Sequence, residues 1–343
     1  MTKKASILLI YTGGTIGMIN DPATGQLKPF NFKRLLDEVP ELRKFEINID
    51  TYAFEDPIDS SNMHPGIWAK LALLVQKNYK RYDGFVILHG SDTMAYTASA
   101  LSFMLENLGK PVILTGSQLP IGTIRTDGKE NLITAIEIAA AKRDGKPAVP
   151  EVCVYFEFRL FRGNRTIKVN AEHFRAFKSP DYPSLVEAGV HLKFNDAAIL
   201  PLPKGKLGVF TKLDLNVAVL KLFPGITPQV IDAMLGIKDL RGLVLETFGA
   251  GNAPTDKWFV RSLEKAINKG LIILNVTQCY SGRVEQGRYQ TSSQLEQIGV
   301  VGGEEMTTEA AITKLMYLLG KEKSPKTIIQ QLKKNLRGEQ SGN

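Results

Sequence analysis

The chain has little of what metal, disulfide and membrane proteins are built from. It holds only two cysteines, Cys153 and Cys279, both in or at the end of apolar runs. With no secretory leader before them, buried thiols are expected rather than a disulfide. The four histidines, His64, His89, His173 and His191, show no ligand spacing among themselves or with the cysteines, so no metal is expected. No apolar run approaches the roughly 18 residues of a membrane helix. No G-x-G-x-x-G follows an apolar run, and Gly13-Gly14-Thr15-Ile16-Gly17 has a different spacing, so no dinucleotide cofactor is expected. Met1-Thr2-Lys3-Lys4 leads into an apolar run too short for a signal sequence, which predicts a cytoplasmic protein.

The net charge of +8 is the one bias of the composition. Its densest part is Lys321, Lys323, Lys326, Lys333, Lys334 and Arg337 near the C-terminus. No aromatic residue interleaves with these charges, so they read as a solvated helix face and not as a nucleic-acid surface.

Against these absences stand 343 residues, 43% of them hydrophobic, enough for about two domains. Strand-like runs at 6–11, 46–54, 84–88, 111–114, 151–158 and 166–170 alternate with helical spacings at 65–79, 93–108 and 127–142. That alternation predicts a mostly parallel sheet with helices on both faces. The stretch 189–212, with Pro201, Pro203, Gly205 and Gly208, reads as a linker. A second alternation follows, with strands at 217–223, 242–248 and 271–277 and helices at 228–235, 256–268, 307–319 and 324–336. The expected architecture is an N-terminal α/β domain over 1–188 carrying the catalytic residues, a linker over 189–212 and a smaller C-terminal α/β domain over 213–343.

Three polar segments follow apolar strands: Thr12-Gly13-Gly14-Thr15, His89-Gly90-Ser91-Asp92-Thr93 and Thr115-Gly116-Ser117-Gln118. Ligands of open parallel sheets bind beyond the carboxyl ends of the strands. A fourth segment, Arg162-Gly163-Asn164-Arg165-Thr166-Ile167-Lys168, adds a lysine. Hydroxyls, one acid and one lysine are an inventory for nucleophilic attack without metal or cofactor. On residue type alone, Thr15 reads as a turn or capping residue, Ser91 and Asp92 as helix N-caps, and Lys168 as a surface lysine. The stretch 17–30, with Asn20, Asp21, Pro22, Gly25 and Pro29, reads either as a lid or as a plain surface loop.

Tyr11-Thr12-Gly13-Gly14-Thr15-Ile16-Gly17 and His89-Gly90-Ser91-Asp92-Thr93-Met94 resemble the two signatures of the bacterial L-asparaginases, most closely the cytoplasmic type I enzymes. The resemblance runs over residues 4–339 and includes 88–119, 162–168, 249–254 and 275–284. It implies hydrolysis of L-asparagine to L-aspartate and ammonia through an acyl-enzyme, without cofactor. Thr15 matches the family's nucleophile, and Ser91, Asp92 and Lys168 match its second catalytic group. Ser60 and Ser61 match the segment that holds the substrate α-carboxylate, and Asp92 would also meet the α-ammonium. Gly90, Ser91 and Ser117 border the expected pocket, where backbone N–H groups near Ser91 and Ser117 are candidate donors to a developing oxyanion. Asn252 matches a residue that reaches the site from a neighbouring subunit, because these enzymes form homodimers that often pair again.

The chain departs from the family pattern at several points. Ser91 stands where threonine is usual, and 17–30 lacks the usual lid tyrosine. Ile167 and Glu246 stand where some type I enzymes use a threonine and an arginine for a regulatory asparagine site, although Cys279 remains. No activation by asparagine through that site, and a hyperbolic rate curve, are therefore expected. Competing readings are a glutaminase or other small-amide hydrolase, an amidotransferase subunit, and a non-catalytic amino-acid sensor.

Overall fold

A computed structural model describes residues 4–20, 27–29, 39–287 and 290–341. The chain divides into two compact units, 1–211 and 212–343.

The first unit is built on an eight-stranded sheet. Its strands are β1 (Ala5–Tyr11), β2 (Ile47–Ala53), β3 (Gly84–Leu88), β4 (Val112–Thr115), β5 (Val152–Phe156), β6 (Arg159–Arg162), β7 (Val186–Ala188) and β8 (Leu192–Phe194). They lie in the order β8-β7-β6-β5-β4-β3-β1-β2. The first five are parallel and run in the order 2-1-3-4-5, while β6, β7 and β8 extend the sheet antiparallel. β3, β4 and β5 are buried at every position. Central strands covered on both faces need unbroken apolar sequence, and Phe85-Val86-Ile87-Leu88 supplies it. β2, at the edge, alternates half-buried and exposed residues at its start.

Helices α1 (Pro65–Asn78), α2 (Met94–Met104) and α3 (Gly128–Ala140) connect the parallel strands. α1 starts where Pro65 occupies the first turn and His64 Nδ1 accepts from Gly66 N–H. α2 is buried nearly all round. Its sequence, rich in alanine and small residues, allows that close packing. The helix was expected to run to 108 but ends at Met104. Leu105–Glu106 instead turns extended and pairs with Gly208–Val209, and Asn107 takes φ 54°.

The expected strand 151–158 is cut at Glu157 and Phe158, which both have positive φ (44° and 64°). Two such residues make the tight reversal from β5 into β6, a strand that hydrophobic patterning alone did not separate. The turn expected at 162–164 is a short 3-10 segment, Gly163–Arg165, after β6. The expected linker 189–212 is largely claimed by the first unit, because Leu192–Phe194 and Gly208–Val209 both pair with its strands. Met18–Asn20 pairs with Leu27–Pro29 as a hairpin; 21–26 and 30, the rest of the expected lid, lie outside the described residues.

The second unit holds four parallel strands side by side: β9 (Val217–Lys221), β10 (Gly242–Thr247), β11 (Ile272–Thr277) and β12 (Val301–Gly302). Helices α4 (Pro228–Leu235), α5 (Lys257–Asn268), α6 (Gln290–Gln297), α7 (Thr308–Lys321) and α8 (Pro325–Leu332) complete it. Its core gathers Leu220, Ile231, Leu243, Leu245, Phe259, Leu263 and Ile273. α8 stops earlier than expected, and the chain beyond it is tied down by Glu339. That carboxylate accepts the Leu336 and Arg337 N–H groups and pairs with the fully buried Lys314 ammonium at 2.6 Å. Lys314 also donates to the Leu332 and Lys334 carbonyls (2.9 and 2.7 Å), so all three of its protons are used. Burial still lowers its pKa despite the facing glutamate. Cys153 is buried as expected, whereas Cys279 is exposed past the end of β11. No helix among the described residues is long and apolar enough to cross a membrane.

Candidate active site

In the order 2-1-3-4-5 the chain direction of sheet-building reverses between β1 and β3, and the carboxyl ends of these two strands are where such sheets open a crevice. Tyr11 stands opposite Leu88, and Leu88 opposite Thr115, so β1, β3 and β4 end level. The three polar segments therefore begin side by side. Thr12 is held there by its N–H and its hydroxyl, both donating to the Leu88 carbonyl (3.0 and 2.9 Å).

The glycines are required by contact and by conformation. Gly13 and Gly14 have φ of 135° and 92°. A Cβ on Gly13 would fall 2.2 Å from the Ile58 carbonyl oxygen, and one on Gly14 would fall 2.6 Å from Gly90 Cα. A Cβ on Gly90 would in turn fall 2.6 Å from Ser60 Oγ. The Thr15, Ser60 and Gly90–Asp92 segments are thus pressed against one another at backbone distance. Thr15 begins a 3-10 turn, Thr15–Gly17, and is half-buried. Its hydroxyl has no hydrogen-bond partner among the described residues. Tyr11 supports the turn from below by donating to the Gly17 carbonyl (3.2 Å), and burial pushes its phenol up to about 12.

Lys168 meets two of the other expected residues directly. Its Nζ donates to Ser91 Oγ at 2.9 Å and to Asp92 Oδ1 at 2.6 Å. The lysine side chain is 17% exposed and the aspartate 64% exposed. An ion pair this open contributes little to stability, so its effect is on the position and charge of the groups at the mouth. The route that brings Lys168 there is visible in Gly163. A Cβ at that position would lie 2.9 Å from the Val152 carbonyl oxygen and 3.1 Å from Ala98 Cβ. Only glycine lets the turn pass beneath α2, and Asn164, Arg165 and Thr166 are buried with it.

The remaining expected residues divide. Ser60 is buried, and its carbonyl accepts from the Thr93 hydroxyl at 2.6 Å. Ser61 is turned to Asp59, whose Oδ1 accepts both its N–H and its hydroxyl (2.8 Å each). Those two bonds hold the Asp59 carboxyl below its ordinary range. Ser117 is buried with its hydroxyl donating to Leu119 O (2.5 Å). Asn252 belongs to the second unit, where its backbone bridges Phe248. Glu246, in β10, accepts from the Thr308 hydroxyl (2.5 Å) and faces Lys221 at 3.8 Å.

Several residues given no role from sequence are central to the geometry. Gln118 is a strut. Its Oε1 accepts from the Ser91 hydroxyl (3.4 Å), while its Nε2 donates to the Ala171 and His173 carbonyls (3.1 Å each). Asp127 holds the backbone behind it, accepting the N–H groups of Gln118 and Leu119. Burial raises the pKa of Asp127 in spite of these bonds. His89 is buried, and burial pushes its imidazole down to about 4. Among the described residues no group of three or more metal-ligating side chains is gathered.

Comparison with known proteins identifies the family. The profile of the asparaginase N-terminal domain matches residues 6–200, and that of the glutaminase/asparaginase C-terminal domain matches residues 216–332. The chain belongs to the asparaginase family. It is 43% identical to L-asparaginase 1 of Escherichia coli K12, over 98% of both chains. The crystal structure of L-asparaginase I from Vibrio cholerae superposes with a TM-score of 0.90 at 39% identity, covering 99% of this chain and all of that one. The probable cytoplasmic L-asparaginase of Campylobacter jejuni superposes with a TM-score of 0.81 at 27% identity, covering 97% of this chain and all of that one. The family profiles span both units, and the Gly-Gly turn and the His89–Asp92 segment lie within the first.

Proposed function

We propose that this chain hydrolyses L-asparagine to L-aspartate and ammonia, with Thr15 as nucleophile. The observation that carries the reading is the Lys168 ammonium bonded to both Ser91 and Asp92 at the end of β3, beside the Gly14–Gly90 contact that seats the Thr15 turn. The Thr15 oxygen attacks the side-chain amide carbon and forms a C–O bond. Negative charge moves to the carbonyl oxygen, which backbone N–H groups of the Ser91 loop stabilise. The Ser91 hydroxyl relays the threonine proton, its oxygen accepting from Thr15 as it gives its own proton to the amide nitrogen, which leaves as ammonia; the Lys168 ammonium holds that hydroxyl in place by donating to it. Water then attacks the ester, restoring Thr15 and releasing aspartate. Asp92 faces the α-ammonium, and the Ser60–Ser61 turn faces the α-carboxylate.

In this reading the domain over 1–188 does the chemistry, and Asn252 is supplied by a second copy in a homodimer that pairs again. The reaction takes place in the cytoplasm, as the description of the Campylobacter relative suggests for that protein. Ammonia release from L-asparagine and L-glutamine tests the proposal. Native chain should turn over asparagine. Thr15→Ala should lose activity almost completely, and Lys168→Met should lower kcat by about 10²- to 10⁴-fold, the usual contribution of proton transfer. Both variants should melt near the native temperature. Full activity in Thr15→Ala, or turnover of glutamine alone, would discard the reading.

A further inference from the structure

Behind the Gly90 loop, α1 and α2 close over a line of hydrogen bonds that the chemistry above leaves unused. Trp68 Nε1–H donates to Thr97 Oγ1 at 2.9 Å. Thr97 Oγ1 lies 2.9 Å from His89 Nε2, and His89 Nδ1 lies 2.7 Å from the Gly90 carbonyl oxygen. The two ends decide every direction between them. An indole N–H only donates, and a carbonyl oxygen only accepts. Thr97, having accepted from Trp68, gives its single proton to His89 Nε2. The ring then carries its proton on Nδ1 and donates it to Gly90. Trp68, Thr97 and His89 are all buried, and a neutral ring is what burial favours there.

The carbonyl at the end of this line belongs to the Gly90–Ser91 peptide. In a planar trans peptide the N–H points opposite to the C=O. With the carbonyl drawn inward to the imidazole, the Ser91 N–H is turned away from the core. That N–H makes no hydrogen bond among the described residues. An amide with a fixed direction and no protein acceptor is what a developing oxyanion requires.

We infer that His89 is a positioning residue for amide hydrolysis: held as its Nδ1–H tautomer by Thr97 and Trp68, it pins the Gly90 carbonyl and so aims the Ser91 N–H at the substrate carbonyl oxygen. This rests on the asparaginase reading of the Ser91 loop. Its signature is a loss of transition-state stabilisation with substrate binding kept, because the donor acts on charge that appears only during reaction.

The test uses the full chain. Imidazole 15N NMR at neutral pH should show a neutral ring protonated on Nδ1, assigned to His89 by its disappearance in His89→Gln. Thr97→Val keeps the volume and removes the hydroxyl. It should lower kcat about tenfold, with KM within about twofold, as expected for a small misplacement of one reacting group. The 15N pattern should lose its single Nδ1–H form. Thr97→Ser restores the hydroxyl and should keep both the tautomer and kcat within about twofold of native. Ser102→Ala, on the same helix, removes a hydroxyl bonded only to the Ala98 carbonyl. It should lower the melting temperature and leave kcat unchanged. A native chain inactive on L-asparagine overturns the functional reading. An active chain whose position-89 ring is protonated on Nε2, or whose Thr97→Val variant keeps native kcat, overturns this inference alone.

Discussion

Replacing Gly14 by alanine separates two effects that the structure superimposes at that residue. Its φ is 92°, and an added Cβ would fall 2.6 Å from Gly90 Cα and Gly90 N. With ψ at 168° this is a region that essentially only glycine occupies, and it costs an L-residue about 1–3 kcal/mol. Forcing a methyl against backbone that no rotamer change can move aside costs about 1–3 kcal/mol more. Two other glycines of the same unit provide the scale. Gly145 has φ 75° and nothing within 4 Å of the added carbon, so alanine there should cost only the conformational part. Gly122 has open space and no positive φ, so alanine there should change stability by less than about 0.5 kcal/mol. In a unit of this size each kcal/mol lowers the melting temperature by about 2–4 °C. The expected order of melting temperatures is Gly122→Ala, then Gly145→Ala, then Gly14→Ala, the last about 4–24 °C below native. Only Gly14→Ala should also lose ammonia release, since relief of the contact moves the Thr15 turn away from Gly90. Differential scanning calorimetry and the activity assay read both quantities. If Gly14→Ala melts with Gly145→Ala and keeps native kcat, the close approach of the two loops is refuted.

Two further predictions concern buried charge. The His89 imidazole is held at about 4, against 6.5 in the unfolded chain. Both states carry it neutral above 6.5, and below that the unfolded chain alone takes the proton until the pH nears 4. Its contribution is therefore present above pH 6.5 and is lost as the pH falls towards 4, about 3 kcal/mol in all. Urea titrations at pH 7.5 and pH 4.5 should show native protein losing more stability than His89→Gln; parallel losses would contradict the assignment. Lys314→Met leaves the Glu339 carboxylate buried without its cation and should cost about 3–5 kcal/mol, whereas Lys314→Met with Glu339→Gln should recover part of that, since the neutral amide oxygen still accepts from the Leu336 and Arg337 N–H groups. Urea unfolding measures both, and a double variant no better than the single would show that the pair itself is not what holds the C-terminal segment.

The alternation of apolar runs with helical spacings exposed the five parallel strands and α1 to α3 before any coordinates, because central parallel strands must be apolar throughout. The antiparallel strands β6, β7 and β8 were hidden for a physical reason. Their reversal at Glu157-Phe158 uses two residues in left-handed conformation that carry no turn signature, and β7 and β8 are three residues each. At the site, the Gly-Gly pair and the hydroxyls after the strands were readable as strand-end chemistry. The meeting of Lys168 with Ser91 and Asp92 was one option among the residues and was favoured only by family resemblance, since residues 77 and 76 positions apart carry no mutual periodicity. Ser117, expected to border the pocket, has its hydroxyl satisfied by the local Leu119 carbonyl, a partner that residue type does not announce. Gln118 and His89 stood in the quoted segments without a role, because nothing in residue type shows which way an amide or an imidazole will face.

The passage of Gly163 beneath α2 has a mechanical result. The helix carries Ser91 and Asp92 ahead of its first turn, and the loop leading to Lys168 is clamped under its middle. A shift of that helix on the sheet therefore bears at once on the segment that holds the acid and hydroxyl and on the loop that leads to the ammonium.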